Sequence, residues 1–129
     1  YLIGGMTDNF ELVEPCDVFD FSNKAWSTMP SPDRPRISPE VAVLGTSIFV
    51  AGGMSPRVDG SGLEPNTTLE VFCTKDQVWS VVPTEMPTSI RHMSMSEFRG
   101  QLLLFSFHNQ DANACELMLI NPYNASGDL

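Results

Sequence analysis

The chain has 129 residues with a formal net charge of −9, because 16 Asp and Glu stand against 7 Lys and Arg. Binding to nucleic-acid phosphates or to an anionic membrane surface needs clustered cations, so this balance argues against both partners. The hydrophobic fraction of 42% is enough for a packed core, and the length is that of about one domain.

Short β-strands are the predicted secondary structure. Four runs of 4–5 residues are rich in β-branched and aromatic side chains and are bounded by Gly, Pro, Asn or Asp; they are Val41–Leu44, Ile48–Ala51, Leu69–Cys73 and Val78–Val82. No amphipathic stripe is long enough for a helix, and 9 glycines with 10 prolines favour many turns. The three cysteines have no C-x-x-C spacing, which disfavours a zinc site and favours a reducing compartment such as the cytoplasm.

Three segments of the chain recur later in the sequence. Residues 17–26 align without a gap on residues 70–79, with an acidic residue, Val, Phe and Trp in register at an offset of 53. Tyr1–Met6 aligns on Phe49–Met54 at an offset of 48, and both carry a glycine pair before the Met. Met29-Pro30 followed by Arg34 matches Met86-Pro87 followed by Arg91. Segments that hold while the loops between them change length are typical of structural repeats.

A third and weaker copy follows, in which residues 100–107 resemble residues 45–53 and Leu119–Pro122 take the place of Val18–Phe21. Four strands in about fifty residues, repeated along the chain, describe a propeller blade. The sequence therefore predicts an all-β fold with about one complete four-stranded blade at residues 39–82, and partial blades at 1–30 and 92–123.

The order of these elements resembles the kelch repeat: three apolar residues with Gly-Gly, then Val-Phe-Asp-x(5)-Trp, then Met-Pro-x(3)-Arg. The spacer after the Trp is most similar to the kelch-like proteins, in which a BTB domain precedes a kelch β-propeller. The resemblance covers nearly the whole chain, and it implies a sector of a propeller that is poorly stable alone and completes its ring within a longer chain.

Several repeat residues are expected to have structural roles. The glycine pairs Gly4-Gly5 and Gly52-Gly53 end a strand where backbones crowd, so positive φ or close approach is expected there. Trp26 and Trp79 are expected to be buried between neighbouring blades, with ligand stacking as the less favoured alternative. Arg34 and Arg91 recur at one repeat position, where bonding to carbonyls of an adjoining strand and contact with a partner both remain open.

Partner-binding residues are expected on loops, because the strands are occupied with packing. By resemblance, partners dock on the face formed by the loops that follow the glycine pairs and by the segments between blades. The candidate residues on this face are Arg34, Arg36, Arg57, Arg91 and His92. Arginine suits bidentate capture of carboxylate, so an acidic peptide is one candidate partner; carboxylates in the same loops leave a mixed polar surface as the alternative. The loop Met54–Asn66 is expected to be either a mobile recognition loop or tolerated length.

The resulting hypothesis is a non-enzymatic protein-interaction module that needs no cofactor and no metal. By resemblance, it is the substrate-recognition propeller of an adaptor for a cullin-RING ubiquitin ligase, which engages the cullin through a BTB domain not contained in this sequence. The runner-up is an actin-binding or scaffolding kelch protein. A copper enzyme similar to galactose oxidase is the alternative from another class, although its His and Tyr ligands have no convincing counterpart here.

Overall fold

Eleven strands and no helix make up the computed structural model, which describes residues 1–84, 86, 90–108 and 115–123, without the side chains of residues 90–92 and 108. In chain order the strands are β1 (Cys16–Asp20), β2 (Ala25–Met29), β3 (Glu40–Leu44), β4 (Ser47–Ala51), β5 (Met54–Pro56), β6 (Leu63–Pro65), β7 (Leu69–Cys73), β8 (Val78–Val82), β9 (Ile90–Phe98), β10 (Gln101–His108) and β11 (Cys115–Ile120). The all-β prediction is confirmed.

The central sheet is a complete antiparallel blade with the strand order β3-β4-β7-β8. Its four strands are the four runs that the sequence predicts, each correct to within one residue. The first sheet pairs β1 with β2, and a bridge between Leu2 and Asp17 adds the start of the chain to it. The third sheet has the order β11-β10-β9. One whole sheet between two partial ones is a sector of a β-propeller.

Strand alternation gives the central sheet two buried faces. Phe49, Leu69 and Val71 point to one side, where they form a core with Leu102 and Leu104 of the third sheet. Successive residues of a strand point to opposite sides, so Ile48, Val50 and Phe72 pack on the other side, against Cys16 and Met29 of the first sheet. Because both faces are covered, β4 is buried at every position.

The third sheet departs by one residue from the sequence alignment. Ser47 pairs with Leu44 after the Gly45-Thr46 turn, whereas Gln101 pairs with Phe98 after Arg99-Gly100. Arg99, not Gly100, therefore occupies the position of Gly45, and it adopts φ 52° there. The strands match in consequence at an offset of 54 residues, which puts Leu102 and Leu104 at the positions of Ile48 and Val50.

Each sheet has two chemically different ends. At what we call the turn end lie the tight turns within hairpins, at residues 21–24, 45–46, 74–77 and 99–100. At the opposite loop end lie the segments that follow the glycine pairs and the linker of residues 30–39 between the first two sheets. The loop end is where the sequence places the candidate binding residues.

Candidate functional site at the loop end

The linker threads between the glycine pairs of two successive sheets. The amide of Gly5 donates to the carbonyl of Arg36 at 3.1 Å, and Ile37 and Met54 exchange two backbone hydrogen bonds of 2.9 and 3.0 Å. A Cβ at Gly4 would clash with the Arg36 carbonyl oxygen, and one at Gly53 would lie 2.5 Å from the Ile37 oxygen. Both glycines also have positive φ, +72° and +79°. The expected reasons for these glycines, close approach and positive φ, both hold.

Two hairpins flank this linker. The first is closed by a bridge between Met6 and Leu12, with the Thr7 amide bonded to the Glu11 carbonyl at 2.8 Å. The second is the β5–β6 hairpin, which ends in a turn where the Arg57 amide donates to Gly62 at 2.8 Å. The segment Met54–Asn66, expected as a loop, thus contains a hairpin whose two strands pair with each other.

Arg34 ties the linker to the second hairpin. Its Nη2 donates to the Pro56 carbonyl and lies 2.8 Å from Glu64 Oε1. Both side chains are about a third exposed, so the pair is worth little in stability and is screened by salt. Bonding of Arg34 to a neighbouring carbonyl, one of the two roles considered from the sequence, is present.

Arg36 lies inside the blade and not on its surface. Its side chain is 0% exposed, and its guanidinium donates to the Gly52 carbonyl at 3.2 Å, to Thr68 and to the carboxylate of Glu70. Burial, with the charge of Arg34 second, lowers the pKa of Arg36 to about 10, which leaves it cationic at neutral pH. This burial removes Arg36 from the side chains that can touch a partner, because both of its terminal Nη groups are bonded to Gly52, Thr68 and Glu70.

The other candidates divide between exposed residues and residues whose side chains fall outside the described part of the chain. Arg57 is exposed at the second hairpin. Arg91 and His92, expected on a segment between blades, belong instead to strand β9, and their side chains are not among those described. Of the described candidate arginines, Arg34 is thus paired with Glu64 and Arg36 with Glu70, and Arg57 is the most exposed of the three.

The two tryptophans differ in their surroundings. Trp79 is half-buried between the first two sheets, with its ring 5.2 Å from that of Phe72 and its Nε1 donating to the Pro30 carbonyl at 2.7 Å. Trp26 is 62% exposed, so its expected burial is wrong. The reason is positional: it packs on Phe19 at 5.1 Å, on the side of the first sheet that no other sheet of the described residues covers.

Exposed apolar side chains at the hairpin tips were not singled out in the sequence. Phe10 is 79% exposed and Val58 is 99% exposed, and each lies four residues after the Met that follows a glycine pair. This common spacing was the sequence signal by which the two residues could have been identified. In the described part of the chain, no three His, Cys, Asp or Glu side chains lie close enough to hold a metal ion, and no helix could span a membrane.

Comparison with known proteins agrees with this geometry. Residues 35–84, which comprise the linker end and the central sheet, match the kelch motif. A putative F-box/kelch-repeat protein of Arabidopsis thaliana is 38% identical over 66 residues, which are 51% of this chain and 18% of the relative. The solved structure of YjhT matches with a TM-score of 0.56 at 16% identity, over 64% of this chain and 24% of that one.

These matches support a kelch-repeat β-propeller fold, of which the described residues form a sector. The structural likeness to YjhT bears on the fold alone, since the identity is low. The chain spans less than a fifth of the length of the curated relative that it matches.

Proposed function

We propose that this chain is a protein-recognition module that catalyses no reaction and binds its partner at the loop end of the propeller. The observation that carries the proposal is the linker held between two hairpins, through the backbone bonds of Gly5, Arg36, Ile37 and Met54. Those bonds hold the starts of the two hairpins, whose tips are exposed. Binding residues commonly lie on loops that a scaffold positions in this way.

The role proposed for the whole protein is substrate selection for a cullin-RING ubiquitin ligase in the cytoplasm. It is supported by the resemblance of the repeat spacer to kelch-like proteins, while the Arabidopsis relative couples kelch repeats to an F-box. We therefore propose that a BTB domain of the whole protein engages the ligase. The Arabidopsis relative suggests an F-box as the alternative. All three cysteines are free, which fits a reducing compartment.

Affinity purification of the full-length protein from cells, followed by mass spectrometry, tests the proposal. Wild type is compared with a variant in which Phe10 and Val58 are changed to Ser, after circular dichroism has verified the fold. The matched control changes Phe21 to Ser, because Phe21 is 83% exposed but lies in a turn at the opposite end.

Recovery of a cullin with all three proteins, and of a second protein lost only from the hairpin variant, is the expected result. Actin or cytoskeletal proteins without a cullin would replace the adaptor role with scaffolding. Copper at one equivalent in the purified protein would contradict the non-enzymatic module.

A further inference from the structure

Phe10 is an apolar side chain that the fold does not use. It is 79% exposed and has a left-handed backbone with φ 63°, where its amide donates to the Thr7 carbonyl at 3.0 Å to close the turn. A bulky residue is disfavoured in this conformation, which Gly or Asn adopts more readily. Folding gains little from Phe here, so contact with another molecule is the better physical reason for it.

Val58 is a second exposed apolar side chain at the same end of the sheets. It is 99% exposed at the tip of the β5–β6 hairpin, and it follows Met54 by the same four residues that separate Phe10 from Met6. The two hairpins stand on either side of one linker, since Gly5 bonds to Arg36 and Met54 bonds to Ile37. Each of the two hairpins therefore presents an exposed apolar side chain in its turn: Phe10 is the fourth residue of the turn that begins at Thr7, and Val58 is the second residue of the turn that begins at Arg57.

The charge around these tips is negative. Arg36 is buried in an ion pair and Arg34 is paired with Glu64, so among the described residues of this end Arg57 is the exposed cation that remains. Five exposed carboxylates surround the tips and the linker, none of them paired with a described cation: Asp8, Glu11, Glu14, Asp33 and Asp59.

Among the residues that the structure describes, the opposite end has no such excess. There the cations Lys24, Lys75 and Arg99 are matched in number by Asp20, Asp76 and Glu97. The negative charge is thus concentrated at the end that carries the exposed apolar tips, and charge complementarity favours an approaching segment of opposite sign.

We propose that the loop end of the first two sheets binds a basic segment of a partner protein, with apolar side chains of that segment contacting Phe10 and Val58 and its Lys or Arg side chains facing the surrounding carboxylates. The inference rests on the proposed function and specifies the partner's chemistry. An acidic partner would need free guanidinium groups, two of which the structure commits to Glu64 and Glu70.

Binding of two peptide libraries to the full-length protein tests this inference. Both libraries are fluorescein-labelled and contain a central Leu or Phe; it is flanked by Lys and Arg in one and by Asp and Glu in the other. Fluorescence anisotropy should show at least about a tenfold preference for the basic library, and this binding should weaken as salt rises.

Two variants separate the apolar contribution from the charge. Phe10→Asn should weaken binding of the basic library several-fold while raising the unfolding midpoint, because Asn tolerates positive φ. If Phe10 were needed only for folding, its substitution would not have both effects. Asp8→Asn with Asp59→Asn should reduce both the affinity and its salt dependence. The controls Phe21→Asn and Glu97→Gln, at the turn end, should leave binding unchanged.

Preference for the acidic library, or binding to neither, overturns the inference. So does binding of the basic library that is unaffected by Phe10→Asn and by the double Asp variant. Failure here is distinguishable from failure of the proposed function: a protein partner lost from the hairpin variant in the affinity purification would preserve recognition at this end whatever the peptide preference.

Discussion

The guanidinium of Arg36 and the carboxylate of Glu70 form a buried ion pair that joins the inter-blade linker to β7, with side chains 0% and 3% exposed. The second oxygen of Glu70 accepts from the Asp33 amide at 3.1 Å, so one carboxylate holds the linker at two points. Nε of Arg36 is buried and has no hydrogen-bond partner in the described part of the chain. Ile37, the residue that follows Arg36, bridges to Met54 at the start of the β5–β6 hairpin.

Removing either member of this pair should destabilise the protein strongly. Arg36→Ala or Glu70→Ala leaves an uncompensated buried charge, and we expect a loss of about 3–5 kcal/mol in the free energy of unfolding. Arg34→Ala, which removes a partly exposed pair, should cost about 1 kcal/mol or less for its ion pair. Urea denaturation of the full-length protein measures all three.

The double variant Arg36→Met with Glu70→Leu separates charge burial from packing. If the buried charge is the cause, the double variant should recover most of the stability lost by the single ones. Equal losses for Arg34→Ala and Arg36→Ala would contradict the assigned burial.

Two glycines with similar φ test the close approach of the linker. Gly53 and Gly60 have φ of +79° and +72°, but a Cβ at Gly60 meets no atom within 4 Å, whereas one at Gly53 meets the Ile37 oxygen at 2.5 Å. Gly60→Ala should therefore cost about 1 kcal/mol from backbone strain alone. Gly53→Ala should cost clearly more, measured by thermal unfolding, and equal costs would show that the linker yields readily.

The outer face of the third sheet should drive association of the isolated 129-residue chain. Leu117 and Leu119 are 65% and 52% exposed on β11, and they pair with Phe105 and Leu103 of β10. Residues at the same positions of the central sheet, Leu69 and Val71 among them, are buried against the third sheet. Exposed apolar sheet faces promote aggregation.

Changing Leu117 and Leu119 to Lys should shift this chain toward monomer in size-exclusion chromatography with light scattering. Val78 and Val81, 53% and 59% exposed on β8, provide the matched control when they are changed to Lys. An equal shift from the control pair would mean that net charge, and not this face, governs association.

The blades could be predicted because their signals are local. A glycine pair marks the place where the linker crosses, and a Phe seven residues before a Trp marks the hairpins β1–β2 and β7–β8. The repeat offsets were therefore sufficient. Burial of Trp26 could not be predicted in the same way, since it depends on whether another sheet lies beside the first one.

The role of Arg36 was missed because its partner lies 34 residues away in the sequence. A usable signal was present in Glu70, a carboxylate between Leu69 and Val71 in a buried strand, since such a group needs a cation or donors. What the residues alone do not indicate is which of the seven cations fills that need.

The thiols offer a last prediction, on pH. Burial raises the pKa of Cys16 above its ordinary value of 9.0, with its other contacts secondary. A thiol whose pKa is raised in the folded protein contributes to stability at pH values below its unfolded pKa. This contribution is lost as the pH rises through 9 toward the folded pKa, because the unfolded chain then releases the proton more readily than the folded one. Unfolding midpoints measured from pH 7 to pH 10 should fall more steeply for wild type than for Cys16→Ala.

In the native protein, the exposed Cys115 should react with iodoacetamide well before the buried Cys16. Equal rates for the two thiols would contradict the packing of Cys16 between the first two sheets.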